Sequence, residues 1–408
     1  MLYQLSYLGD HWYRTPRREA VNRAHGPRRI VLAMPPQPFA ISVPDAVLDD
    51  LRDRLARTRW PDAIPGTGWE YGADVDYVRE LCEYWRTGFD WRAREAELNQ
   101  YPGFLCEVDG VDLHFWHVRG KGPNPMPLLL VHGWPGSIFE FHHLIGPLTD
   151  PAAYGGDPAD SFDVVVPALP GYGFGGQTKE RGWGPSRTAA AFDHLMTKEL
   201  GYARYATQGG DWGGIITARM GGAHGANIIG CHPNFVIAGP PANPSPEDRE
   251  VADARAKFQA EETAYSQLHG TKPMSLAVAQ ADSPAGMAAW IVEKFRSWSD
   301  CDGDIESVYT KDQLLTNIMF YWAPNSSAGA SRMYFEARKD PAAMFTKVEV
   351  PVGVAMFPKE IYRARRSWVE GRFNIQHWTE FEKGGHFAAL EQPAALLEDV
   401  RTFFRTLR

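Results

Sequence analysis

Cysteine is scarce in this chain. The four present, Cys82, Cys106, Cys231 and Cys301, are scattered without the spacing of a disulfide framework or a thiolate metal site. Reduced thiols in a cytoplasmic protein are the simplest reading, and no metal is expected. No apolar run is long enough to span a bilayer and no signal-peptide core is visible, so we expect no membrane anchor. Positive charge is also in short supply. Lys and Arg total 42 against 50 Asp and Glu, a net charge of −8, which argues against nucleic acid or an anionic membrane as partner. What the chain does have is length. Its 408 residues, 44% of them hydrophobic, are enough for a sizeable core in one or two domains with an insertion.

The most informative stretch is Gly209-Gly210-Asp211-Trp212-Gly213. It follows a strand-like run, Tyr205-Ala206-Thr207-Gln208, and precedes Gly214 to Met220, which reads as the start of a helix. A strand, a glycine-bounded turn and a helix make a nucleophile elbow, in which small neighbours let the backbone bend sharply and expose one side chain. Alone, the motif could equally be a glycine-rich loop with a surface aspartate. It is not alone. Upstream, Leu128 to Val131 is a buried-strand run that breaks into His132-Gly133-Trp134-Pro135-Gly136-Ser137. In an α/β-hydrolase the loop after that strand supplies one oxyanion-hole amide and the residue after the nucleophile supplies the other. By position these are the backbone N–H groups of Trp134 and Trp212. Downstream, the apolar run Val350 to Phe357 leads to Pro358-Lys359-Glu360, and Trp378 to Phe381 leads to Gly384-Gly385-His386. Nucleophile, acid and histidine thus occur in the chain order of this fold, which chymotrypsin-like and subtilisin-like enzymes do not share. Glu380 and Glu382 lie nearer His386 in sequence, but Glu360 closes the preceding strand and is the expected acid.

An aspartate in the serine position changes the chemistry. Attack on an ester would form a high-energy anhydride, whereas attack on a strained or activated sp³ carbon forms an ordinary ester. Epoxides and alkyl halides are therefore the natural targets.

These pieces resemble the epoxide hydrolases of the microsomal and juvenile-hormone type. The resemblance runs from Val43-Pro44-Asp45 through Thr58-Arg59-Trp60-Pro61, the His132 loop, Pro170-Gly171-Tyr172-Gly173-Phe174, the Asp211 elbow and Phe357-Pro358-Lys359-Glu360. It continues into Gly384-Gly385-His386-Phe387-Ala388-Ala389, so it covers about residues 36 to 408. It implies an α/β fold of the α/β-hydrolase kind, with a mostly parallel sheet flanked by helices, a helical lid insertion and an N-terminal accessory region. It also implies two lid tyrosines that hold the departing epoxide oxygen: Tyr265, within Glu262-Thr263-Ala264-Tyr265, and Tyr334, within Ser331-Arg332-Met333-Tyr334. Relatives often carry glycine where Ala264 stands. Tyrosine suits the task because its hydroxyl stays protonated near neutral pH. Tyr309 and Tyr321 are weaker candidates, the latter read as packing within Phe320-Tyr321-Trp322.

The expected layout is then an N-terminal extension over 1–36, disordered, and an accessory region over 37–101. The first part of the hydrolase core covers 102–235, a helical lid 236–345 and the second part of the core 346–408. In the accessory region Val47, Leu48, Leu51 and Leu55 share one helical face opposite Asp49, Asp50, Arg52, Asp53 and Arg54. Trp69, Trp85 and Trp91 read as packing anchors. Phe104 to Val108 and Leu113 to Val118 read as a hairpin around Asp109-Gly110. The hinge Gly239 to Pro246 opens the lid, whose helical patterns include Glu250 to Leu268 and Met287 to Trp298.

The expected reaction is hydrolysis of a hydrophobic epoxide to a vicinal diol through an aspartyl ester, with Asp211, His386, Glu360, Tyr265 and Tyr334 as catalytic residues. It needs a small epoxide and water as partners and no cofactor. A haloalkane dehalogenase would share Asp211 and His386, and the Trp212 indole could serve a halide. A non-catalytic binding protein on the same scaffold is the third reading. Nothing decides between monomer and homo-oligomer. Gly171 to Gly176 fits G-x-G-x-x-G, but Pro167 and Pro170 break the turn a dinucleotide loop requires. His142-His143 lacks the partners of a metal site and reads as helix surface. The abundance of Ala, Arg, Gly and Pro suggests a bacterial source, with detoxification or natural-product biosynthesis as roles.

Overall fold

The computed structural model describes residues 35–344 and 346–408. The expectation of disorder for residues 1–36 falls, except for its last two positions, outside them. A nine-stranded sheet organises the chain: β1 (Gln37–Pro38), β2 (Gly103–Val108), β3 (Val111–Val118), β4 (Met126–Val131), β5 (Phe162–Pro167), β6 (Tyr205–Gly209), β7 (Ile228–Pro233), β8 (Val348–Met356) and β9 (Phe373–Glu380). Their spatial order is β1-β2-β3-β5-β4-β6-β7-β8-β9. The strands from β5 to β9 run parallel, while β1, β2 and β3 meet antiparallel. The composition explains the split. β5 and β6 are buried at every position, as strands covered on both faces by helices must be. β2 and β3 turn around Asp109-Gly110, both at positive φ, which a two-residue hairpin favours.

One part of the N-terminal region joins the sheet. Gln37 pairs with Leu105 at its edge, where sequence patterning had suggested only an accessory layer. The helices that follow, Asp45–Ala56, Val75–Thr87 and Trp91–Leu98, pack as their periodicity requires. Leu48, Leu51 and Leu55 are buried, as are Trp85 and Trp91, and all four cysteines are free and buried.

Between β7 and β8 the described chain is helical from Pro246 to Met344. The single helix expected over Glu250 to Leu268 is in fact two, Pro246–Glu261 and Ala264–Thr271. The break has a local cause. The Thr263 hydroxyl donates to the Gln259 carbonyl at 2.7 Å, and such back-bonding competes with the helical ladder. The second helix starts afresh after the break and buries Tyr265. Among the described residues no helix is long and apolar enough to cross a membrane.

Candidate active site

In an open parallel sheet, function gathers beyond the carboxyl ends of the strands, and four loops meet there. The turn after β6 carries Asp211 at φ 51 and ψ −126, backbone angles that residues with a β-carbon rarely adopt. The surrounding glycines permit it. A β-carbon on Gly213 would come within 1.8 Å of the Val131 carbonyl oxygen, so only glycine lets the elbow close against β4.

The loop after β4 lies against the aspartate. The Trp134 N–H donates to Asp211 Oδ1 at 2.8 Å, and a β-carbon on Gly133 would stand 2.2 Å from that of Asp211. Trp212 opens the helix Trp212–Ala223, so its N–H is among those a helix N-terminus leaves free. The loop is anchored from the helix Lys311–Trp322. Asn317 Nδ2 donates to the Pro135 carbonyl at 2.8 Å and the Tyr321 hydroxyl to that of Gly136 at 2.6 Å. Sequence reasoning took Tyr321 as packing and passed over Asn317; their i, i+4 spacing on one helix was the available signal.

His386 follows β9. Its Nε2 lies 3.4 Å from Asp211 Oδ2, and its Nδ1 lies 2.7 Å from Glu360 Oε1. Glu360, in the loop after β8, has a fully buried side chain that also accepts the Ile361 N–H at 2.6 Å. The rival carboxylates are elsewhere: Glu380 is exposed and accepts from the Trp378 indole at 3.1 Å, and Glu382 is exposed. Burial by itself disfavours the imidazolium. Glu360 and Asp211 outweigh it and hold His386 well above the ordinary histidine range.

Tyr265 and Tyr334 complete the arrangement. The Tyr265 ring stacks on Trp134 at 5.0 Å, Tyr334 meets Trp212 edge-on at 4.7 Å, and the two phenols are 5.8 Å apart. Both line a cavity of about 370 Å³ together with Asp211. Apolar groups such as Ile215, Phe235, Ile237 and Met344 form most of its wall. Among the described residues the buried Tyr334 hydroxyl has no hydrogen-bond partner. Burial pushes both phenols well above the ordinary tyrosine range, so they remain donors. The weaker candidates point elsewhere: the Tyr309 hydroxyl pairs with that of Ser299 at 2.7 Å, and Tyr321 serves the Gly136 carbonyl.

The other motifs have plain structural uses. Asp193, the acidic residue a dinucleotide loop would need, lies within the helix Pro185–His194 and accepts from the Tyr205 hydroxyl at 2.8 Å. His142 and His143 begin a helix, and among the described residues no group of three metal-ligating side chains forms. A residue that sequence patterning did not single out is Glu140, which sits directly behind the Trp134 loop.

Comparison with known proteins agrees with the topology. Residues 36–141 match the epoxide hydrolase N terminus, and residues 126–289 match the alpha/beta hydrolase fold. The molecule is an α/β-hydrolase. A chain from Stigmatella aurantiaca is 43% identical over 91% of this sequence and 85% of its own. Epoxide hydrolase 1 of Sus scrofa is 32% identical over 98% of this chain and 93% of its own. The crystal structure of juvenile hormone epoxide hydrolase from Bombyx mori superimposes with a TM-score of 0.85 at 29% identity, covering 94% of this chain and 97% of that one. The chain belongs to the epoxide hydrolase family, and its activity is the hydrolysis of an epoxide.

Proposed function

We propose that this epoxide hydrolase works through a covalent ester on Asp211 and acts on hydrophobic epoxides, aromatic ones included. The observation that carries the reading is the convergence on Asp211. A strained elbow presents it, the Trp134 amide holds one oxygen, and the His386–Glu360 pair meets the other. The apolar wall of the cavity supports the choice of substrate.

An Asp211 oxygen attacks one epoxide carbon as the C–O bond breaks. Tyr265 and Tyr334 hold the departing oxygen by hydrogen bonds, and one of them gives it a proton. Esterification removes the charge of Asp211, and with it one of the two carboxylates that hold His386 protonated. The imidazolium then gives its proton to the tyrosinate, and the neutral imidazole is a competent base while Glu360 remains to stabilise the imidazolium it will form again. His386 takes a proton from water, whose oxygen bonds to the Asp211 acyl carbon, and the Trp134 and Trp212 amides stabilise the oxyanion. Collapse expels the second diol oxygen, which takes the proton back from His386. The proton of the regenerated carboxyl passes to His386, which restores the imidazolium beside an ionised Asp211. The helical segment between β7 and β8 serves as a lid that carries the two tyrosines and excludes bulk water.

Single-turnover hydrolysis of racemic styrene oxide in heavy-oxygen water tests the route. Unlabelled diol in the first turnover, with label entering only on later ones, is the expected outcome, and Asp211→Asn should form no ester. Label in the first diol means direct attack by water and removes Asp211 from the nucleophile's role.

A further inference from the structure

The cavity that holds the reacting groups extends past them. Ala337, Pro341 and Met344 continue its apolar wall, and Ser266 and Arg338 also line it. Among the described residues of that lining, Asp211 and Arg338 are the charged ones. Tyr334 lies in the helix Ser327–Ala337 and Arg338 caps its C-terminus. Four residues apart, they share a face, with Arg338 about 6 Å further along. Arg338 is exposed, which puts it where the cavity meets solvent.

The guanidinium is held in place. Its Nη2 donates to Gln267 Oε1 at 2.7 Å, and a β-carbon on Gly270 would stand 2.2 Å from its Nε. Gln267 and Gly270 belong to the helix Ala264–Thr271 that carries Tyr265, so Arg338 reaches from one tyrosine's helix to the other's. Its charge is unanswered. The chain has more carboxylates than cations, yet among the described residues none lies within ion-pair distance of Arg338. Those nearest in sequence are engaged elsewhere. Glu336 pairs with Lys339 at 4.0 Å, and Asp340 accepts the Ser186 N–H at 2.7 Å and its hydroxyl at 2.8 Å. A guanidinium carries five N–H donors in a fork that matches a carboxylate, and Gln267 is the partner of one nitrogen.

We infer that Arg338 is a specificity-determining residue that binds a carboxylate at the far end of the substrate. The preferred epoxides are then acids, with the epoxide held at Tyr265 and Tyr334, the carboxylate at Arg338 and an apolar chain between. The inference rests on the hydrophobic-epoxide reading above and narrows it. Asp211 repels a second anion placed near the reacting carbon, and this repulsion falls with distance. A guanidinium one helical turn beyond Tyr334 therefore favours an anion at the remote end of the chain, while the apolar wall covers the chain itself.

Steady-state kinetics on straight-chain ω-epoxy acids of increasing length, each beside its primary amide, tests this in the wild type, Arg338→Met and Arg338→Lys. At the best length the wild type should favour the acid on the order of 10-fold in kcat/KM, the worth of one charge-assisted hydrogen bond. Shorter and longer acids should lose that preference because the guanidinium is fixed, and added salt should weaken it. Arg338→Met should raise KM for the acid on the order of 10-fold with little change in kcat, and change KM for the amide far less; its turnover of the amide also reports a folded site. Arg338→Lys should keep part of the preference. Equal kcat/KM for acid and amide at every length, or a preference that survives Arg338→Met, overturns the carboxylate subsite and leaves hydrolysis of apolar epoxides intact. Turnover of neither series while styrene oxide is converted overturns it as well. No turnover of acids, amides or styrene oxide overturns the hydrophobic-epoxide reading together with it.

Discussion

Replacing Glu360 with glutamine removes one charge from a fully buried pair while keeping its shape. In the native site Glu360 Oε1 lies 2.7 Å from His386 Nδ1, and neither side chain meets solvent beyond 2%. Two unit charges about 4 Å apart at an effective dielectric near 20 attract by about 4 kcal/mol. That attraction acts only when the imidazolium is present, as it is when His386 has taken the proton of water. At 1.36 kcal/mol per decade, its loss slows ester breakdown by about 10³-fold. Ester formation develops no new charge on His386 and should slow far less. The pH dependence has a definite sign. Glu360 is one of two carboxylates that raise His386 against the opposing effect of burial, so its removal lowers the histidine pKa. The acid limb of ester breakdown then moves to lower pH even as its plateau falls. Rapid-quench kinetics with detection of the intact ester measures both steps. A Glu360→Gln enzyme with breakdown within about threefold of wild type, or with an unmoved acid limb, would refute the assignment and return Glu380 and Glu382 to consideration.

Tyr265→Phe and Tyr334→Phe should each slow ester formation on the order of 10²-fold, the usual cost of losing one preorganised donor, and leave breakdown of a preformed ester nearly unchanged; equal effects on both steps count against them as donors to the epoxide oxygen. Because both phenols are pushed well above the ordinary tyrosine range, turnover should show no alkaline limb from them below about pH 10, and a tyrosine limb near pH 9 would contradict the burial argument. Gly133→Ala places a β-carbon within 2.2 Å of that of Asp211, so turnover should fall by more than 10²-fold, on the order of a 1 Å misplacement, and a variant of native activity would mean the loop yields freely. Asp399→Asn probes stability. Burial opposes the Asp399 charge, but His232, Thr379 and His377 override it and pull it down to about 2. The stabilisation, about 2 kcal/mol, is therefore present above the unfolded carboxylate value near 4 and lost as pH falls towards 2. The stability gap between wild type and variant, measured by denaturant titration, should shrink over that window, and a gap independent of pH would rule out the charge as its source.

Local physics made much of this molecule legible in its sequence. The elbow at Gly209 to Gly213 is a backbone demand met within five residues, because only glycine tolerates the approach of neighbouring carbonyls. The apolar runs of β4 and the amphipathic helix Asp45–Ala56 follow from periodicity alone. Chain order pointed to Glu360 because it follows a strand, whereas Glu380 lies within one. Tertiary structure alone decided matters that depend on elements distant in the chain. Gln37–Pro38 joins the sheet at the edge β2 leaves open, a pairing two residues are too short to announce. The break at Glu262 and Thr263, which precedes the helix carrying Tyr265, turns on one hydroxyl bonding its own helix in place of the ladder. Tyr321 and Asn317 look like core residues until the loop they anchor is brought against them. Glu140 has the least sequence signal of all: a single carboxylate among aromatic residues marks an exposed turn as readily as a buried acid. Its place beside the Trp134 loop depends on a glycine four residues earlier that leaves it room, a fit that exists only once the chain has folded.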